Sequence, residues 1–376
     1  MEYLAVDHMF PEWKVWDLYL AERYSIALRL DALAGSHPIE VEVHHPDEIN
    51  EIFDSVSYAK GSAVIRMLAE YLGKDIFKKG LQYYMKKHSY GNTITTDLWS
   101  AFEKVSKKPV KKMMQNWTGK MGYPLITTKI TGKTYSASQE RFFSSRLSQK
   151  KSKEKTLWQI PFKYENDKGI QTETLTNKST KLVGKFIGKV NVGESTIMRV
   201  RYDDATLAKL REEILQGKLS VHDRLGIIRD MFALAEGGYI NTVTALDFSL
   251  VYRNETEYIV WAEIASGIDK VNHIIAEEPF KDLYHKYARQ IFSPLAEKMG
   301  YDKKKNEDGS HTFLRNLALS HAALYGNEQI KKQAKKMFAE LNKNPIPADI
   351  RSVIYGIVAR GGGVKEWTTF EKMYKS

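Results

Sequence analysis

Two changes of texture, at Gly122-Tyr123-Pro124 and at Asp204, divide this chain and limit what it can fold into. Outside those points apolar residues recur at three- and four-residue spacing, as in amphipathic helices; between them lie short runs broken by turn residues, as in strands. Ahead of the first change the spacing predicts helices over 1–9, 13–28, 56–73, 75–88, 96–105 and 110–118, with threonines before Asp97 suited to capping. The stretch 36–46 is an extended connection bounded by prolines. The middle third holds candidate strands at 125–130, 134–142, 156–164, 171–175, 181–187 and 196–202, which read as a small antiparallel β-sandwich. The polar, basic run at 146–155 (RLSQKKSKEK) is expected as a hairpin loop of that sheet. Beyond Asp204, helices near 205–215, 221–236, 241–252, 255–268, 280–299, 311–325, 327–342, 346–359 and 364–375 follow with short turns. Such a series suggests stacked helix pairs, an α-solenoid. The expected fold is multidomain and mainly α with a β-sandwich, over segments 1–121, 122–204 and 205–376. No capping residue precedes the first helix, so the chain is expected to start inside one. Trp367 and Tyr374 on the last helix need covering, so that end is expected to be truncated too.

Length and composition bound the function classes. At 376 residues, with 43% hydrophobic and 27% charged residues, the chain is long enough for two or three globular domains. No apolar run reaches the roughly 20 residues that span a bilayer, and the first residues lack the basic and apolar regions of a signal peptide. The expectation is therefore no membrane partner. Zero cysteines exclude disulfides and thiolate metal sites and fit a reducing, cytoplasmic compartment. The net charge of +11 is dispersed, with no basic face interleaved with aromatics, so nucleic acid is not the expected partner.

One segment suggests chemistry. In Phe53-Asp54-Ser55-Val56-Ser57-Tyr58-Ala59-Lys60-Gly61, a helix starts at a polar cap. At about 100° per residue its apolar stripe runs through Ala63, Val64, Met67, Leu68 and Tyr71, and Tyr58 lies roughly 140° away. Gly61 leaves room beside it. Phenols hold their proton at neutral pH, so a tyrosine here can donate a hydrogen bond to an oxyanion formed at an attacked carbonyl. On geometry alone the signal is weak, since most helix-borne tyrosines are packing residues with an exposed hydroxyl. Lys60 and Asp54 read as structural, a first-turn cation and an acid near a helix N-terminus.

The remaining patterns carry less. Of ten histidines, no two are spaced on one helix with a neighbouring glutamate as a zincin site requires. His44-His45 with Asp47 and Glu48 is the only cluster, and adjacent histidines beside a proline point apart. His37, before Pro38, reads as a connector. Trp13, Trp16, Trp99 and Trp117 are expected in the core, and Gly361-Gly362-Gly363 as a helix–helix turn. No serine or threonine stands in a nucleophile-elbow context.

The Tyr58 segment, with SHPI at 36–39, VIRML at 64–68, HSYGN at 88–92, Asp97-Leu98-Trp99, Trp117 and Gly122-Tyr123-Pro124, resembles zinc aminopeptidases of the gluzincin type, the alanyl and puromycin-sensitive kind. Looser matches continue through QERF at 139–142, WQIP at 158–161, LSVHDR at 219–224 and DMFALA at 230–235. One departure is 195–200 (STIMRV), where that family usually has an aromatic pair before Arg-Val. The resemblance implies the helical half of a thermolysin-like catalytic domain, a β-sandwich, and a helical C-terminal domain. It implies peptide substrates, with Tyr58 as the residue that stabilises the tetrahedral intermediate. It also implies zinc in the complete enzyme, held by an H-E-x-x-H segment that this sequence lacks. Met1 and its successors resemble the helix that follows the third zinc ligand, so the partner expected is a missing N-terminal catalytic part. This chain alone is expected to be inactive. A non-catalytic peptide- or protein-binding scaffold derived from the same family is the competing expectation.

Overall fold

The computed structural model describes residues 2–185, 187–305 and 307–375, and of Glu51 the backbone alone. Met1 and Phe186, placed above in a helix and a strand, lie outside the described residues. The chain forms two compact units, Met1–Val251 and Tyr252–Ser376.

The first unit opens with α1 (Glu2–Met9), which buries no residue. A longer helical stretch follows: α2 (Val15–Tyr19), a π-turn (Leu20–Tyr24) and α3 (Ser25–Leu30). Tyr19, Leu20, Tyr24, Ala27 and Leu28 point inward, as the helical spacing requires. Trp99 and Trp117 are buried, but Trp13 is 58% exposed and stacks on Phe10 with ring centroids 4.5 Å apart. That corrects its placement in the core: a 3-10 turn at Pro11–Trp13 breaks the helical register just ahead of α2.

After the short α4 (Ile49–Ile52) come a second π-turn (Val56–Lys60), α5 (Gly61–Leu72), α6 (Lys74–Lys87), α7 (Thr95–Ser106) and α8 (Val110–Thr118). Gly73, at φ 83°, turns the chain between α5 and α6 where a side chain would be strained. The expected threonine cap of α7 is not formed. Both threonines sit inside the helix, and the Asp97 carboxylate instead accepts the Ile94 N–H at 3.0 Å.

The middle segment contains two sheets. One has the order β5-β2-β1-β7 and the other β4-β3-β6. The strands are β1 (Pro124–Thr131), β2 (Thr134–Arg141), β3 (Ile160–Asn166), β4 (Gly169–Leu175), β5 (Ser179–Leu182), β6 (Ile187–Val190) and β7 (Arg199–Arg201). Leu125, Ile126, Ala137, Ile160, Phe162 and Val190 form part of the core. Three expectations are corrected. The run 181–187 is not one strand, because the chain leaves the first sheet after Leu182 and enters the second at Ile187. The sandwich is not wholly antiparallel, since β7 pairs parallel to β1 with Leu125 opposite Arg199. The basic run is not a hairpin loop: it carries α9 (Arg146–Lys151) between β2 and β3, which lie in different sheets. Ser145 caps α9 by accepting the Ser148 N–H.

The unit closes with α10 (Asp204–Leu215), α11 (Val221–Glu236) and α12 (Thr242–Ser249). Asp203, Ser220 and Asn241 cap them through side-chain oxygens, so these starts follow from residue type.

The second unit is helical: α13 (Tyr258–Ile274), α14 (Lys281–Met299), α15 (Gly309–Leu324), α16 (Glu328–Ala339), α17 (Ala348–Gly361) and α18 (Val364–Lys375). Successive helices pair across short turns. Gly326 (φ 91°) supplies the turn after α15, and Asn327 caps α16. The three glycines at 361–363 fall at the α17–α18 turn, as expected. Among the described residues no helix is long and apolar enough to cross a membrane.

Candidate active site

Tyr58 lies in the π-turn at Val56–Lys60, so the 100° per residue count does not hold across it. A π-turn widens the helix by one residue per turn and re-aims its side chains; such turns recur at functional sites. Within it Val56, Ala59 and Lys60 are buried while Tyr58 is 62% exposed, so the phenol does leave the buried face. It borders a cleft of about 570 Å³ together with Arg23, Ile26, Phe53 and Asp54. The Phe53 ring lies 6.1 Å from the Tyr58 ring. A Cβ placed on Gly61 would meet nothing within 4 Å, consistent with the room expected there.

The loop entering the turn is tied at Asp54. One carboxylate oxygen accepts the Ser57 N–H at 2.7 Å, and the other lies 2.6 Å from His37 Nε2. His37 Nδ1 is 2.7 Å from the Pro38 carbonyl. His37, read above as a connector, is thus the partner of the acid that holds the turn. Burial pulls the His37 pKa down, but its bonds to Asp54 and Pro38 outweigh that and leave it raised.

Lys60, read above as a structural first-turn cation, is fully buried. Its ammonium lies 2.9 Å from Asp31 Oδ2, an ion contact rather than an aligned hydrogen bond, and neither side chain has exposed surface. It donates to the carbonyls of Lys120 at 2.7 Å and Gly122 at 3.1 Å. Burial drives the Lys60 pKa below the usual lysine value, with Asp31 opposing. A sequence signal existed: Val56 and Val64 flank Lys60 four residues away on each side, so it sits on the apolar stripe, where a cation needs a buried acid.

The other π-turn, Leu20–Tyr24, rests on a buried charge cluster that sequence reasoning missed. Arg229 donates to the Leu20 carbonyl at 2.9 Å and to Glu194 Oε2 at 2.6 Å. Lys189 meets Glu194 Oε1 at 2.9 Å. Arg66, on the helix that follows Tyr58, donates to the Gly193 carbonyl at 3.0 Å.

His44 and His45 are exposed beside Glu42 and Asp47 and do not converge. Among the described residues no group of three or more His, Cys, Asp or Glu is placed to hold a metal. Among the described residues, then, the donors present do not converge on a site that would fit zinc.

In sequence order, a helical segment with an exposed tyrosine on a cleft is followed by a two-sheet segment and a helical series. Comparison with known proteins agrees with this order. The Peptidase family M1 domain matches residues 1–117, and the ERAP1-like C-terminal domain matches residues 188–376. The chain is 33% identical over 384 residues to aminopeptidase 2 of Candida albicans, in an alignment covering all of this chain and 41% of the relative. It is 35% identical over 402 residues to aminopeptidase M1 of Arabidopsis thaliana, covering all of this chain and 45% of the relative. It is 32% identical over 384 residues to the alanine/arginine aminopeptidase of Saccharomyces cerevisiae, covering 44% of that protein. The chain belongs to the gluzincin (M1) aminopeptidase family. It spans less than half the length of these relatives.

Proposed function

We propose that this chain is part of a zinc-dependent aminopeptidase that removes N-terminal residues from peptides, with Tyr58 stabilising the tetrahedral intermediate. Its segments 1–121, 122–204 and 205–376 are read as the helical part of the catalytic domain, the β-sandwich and the helical C-terminal domain. Zinc and its ligands are assigned to the rest of the complete enzyme. The observation that carries the reading is the exposed Tyr58 phenol on a cleft, on a π-turn anchored at both Asp54 and Lys60. Such a phenol donates to the oxygen that gains charge as the peptide carbonyl is attacked, and a fixed donor needs no reorganisation at that moment. The scaffold reading is not favoured, since the relatives that match are named as aminopeptidases.

The test is reconstitution. This chain, co-expressed with the N-terminal half that carries H-E-x-x-H, is expected to hydrolyse aminoacyl-anilides, with chelators abolishing turnover and zinc restoring it. Each half alone is expected to stay at background. A folded complex that binds peptides without turning them over would return the scaffold reading.

A further inference from the structure

The Tyr58 ring is 62% exposed, so its direction is set mainly by the backbone that carries it. That backbone is a widened turn, a geometry with alternatives close in energy unless something over-determines it. Two residues on, Lys60 turns inward and makes three contacts at one buried point: Asp31 Oδ2 at 2.9 Å and the carbonyls of Lys120 and Gly122 at 2.7 and 3.1 Å. Asp31 is held in turn, its Oδ1 accepting from the Gly122 N–H at 2.7 Å and the Ser36 hydroxyl at 2.5 Å. The end of α3, the loop entering β1 and the Tyr58 turn thus meet at one ion pair.

A buried pair of this kind rarely adds stability over an apolar pair of the same volume, because both charges lose their hydration. What it adds is direction. Each contact fixes an angle that apolar packing leaves free, and a donor displaced by about 1 Å loses much of its effect on rate.

We propose that Lys60, held by Asp31, is a positioning residue that fixes the aim of the Tyr58 hydroxyl. The proposal rests on the reading of Tyr58 as the oxyanion donor. Lys60 touches no substrate in this scheme and acts only through the turn.

The test is a double-mutant cycle in the complete enzyme. Lys60→Met with Asp31→Asn removes both charges, leaves no unpaired buried ion, and keeps an oxygen for the Gly122 N–H. The folded variant is expected to lose kcat on the order of tenfold to a hundredfold with KM nearly unchanged. On a Tyr58→Phe background the same change is expected to have no further effect, because no hydroxyl remains to be aimed. Wild-type kcat in the folded variant, or an equal loss on both backgrounds, overturns the proposal. Full kcat in Tyr58→Phe alone overturns the reading of Tyr58 itself, and that arm does not touch Lys60. Should the pair variant fail to fold, Lys60→Arg, which keeps the charge and moves its anchor, enters the same cycle and is held to the same outcomes. An independent readout is the 19F resonance of a fluorotyrosine placed at position 58. It is expected to shift or broaden when the anchor is removed, and an unchanged resonance counts against the anchor.

Discussion

His37 Nε2 lies 2.6 Å from Asp54 Oδ2, so two side chains 17 residues apart close the loop that leads into Tyr58. Burial acts against both charges, yet the net effect is a raised His37 pKa and a lowered Asp54 pKa, through their mutual bond and those to Pro38 and the Ser57 amide. The buried carboxylate of Asp31 adds to the field on His37. The raised His37 contributes stability that is complete below its ordinary value of 6.5 and fades as pH climbs through its folded value. The lowered Asp54 contributes stability that is complete above its ordinary 3.8 and fades as pH falls through its folded value. The pair is therefore strongest near pH 5. His37→Gln is expected to lower the melting temperature most in that window and progressively less above neutrality. Because both groups are about a third exposed, the effect should be about 1 kcal/mol or less. Melts from pH 4.5 to 9 check this, and a difference that did not vary with pH would remove the ionic account.

Where one residue type dictates local geometry, the sequence was readable. The helices expected near 205–215 and 221–236 form as α10 and α11, where Asp203 and Ser220 are of the residue types that cap, and the three glycines end α17 where a turn was placed. What could not be read depends on partners distant in sequence. A π-turn inserts a residue without altering the apolar pattern enough to register, so both wide turns read as ordinary helix. The parallel pairing of β7 with β1 joins residues far apart, and nothing local to Arg199–Arg201 announces it. Tyr58 could be singled out and Lys60 stood on the apolar stripe, whereas their partners could not be read, because Asp31 and His37 look ordinary until the residues they bind are adjacent.

Glu194 balances two buried cations. It meets Lys189 at 2.9 Å and Arg229 at 2.6 Å, and all three side chains are almost wholly buried. Gly226 makes the approach possible, since a Cβ there would lie 2.0 Å from Glu194 Oε1. Glu194→Gln would leave the two cations without their shared counter-charge, a loss of about 3–5 kcal/mol by analogy with broken buried pairs. The urea midpoint of the first unit is expected to fall accordingly. A shift worth under about 1 kcal/mol would show that the cluster is hydrated or repacks.

Two helical glycines should respond to alanine in opposite directions. At Gly61 the backbone is helical (φ −54°) and an added Cβ meets nothing within 4 Å. Gly61→Ala is expected to stabilise by about 0.4–1 kcal/mol, by narrowing the unfolded ensemble. At Gly80 the Cβ would stand 2.3 Å from Cδ1 of Phe102, a buried ring stacked 4.9 Å from Phe77. Gly80→Ala is expected to destabilise by about 1–3 kcal/mol, since that ring cannot move without disturbing its neighbour. Thermal melts of the two variants side by side decide it, and equal shifts of one sign would contradict the packing argument.

Tyr58→Phe separates a reacting phenol from a packing one. The phenyl ring retains its place beside Phe53, and the largely exposed side chain buries little, so folding and melting temperature should be nearly unchanged. If the hydroxyl acts on charge that appears only in the transition state, ground-state binding survives its loss and KM stays close to the wild-type value. Removal of one such donor typically costs about 2.7–4 kcal/mol, so kcat should fall about a hundred- to a thousandfold in the reconstituted enzyme. A rise in KM at constant kcat would instead assign Tyr58 to substrate binding. An unchanged kcat in a folded variant would leave it a surface residue of the cleft and remove its proposed role in the chemistry.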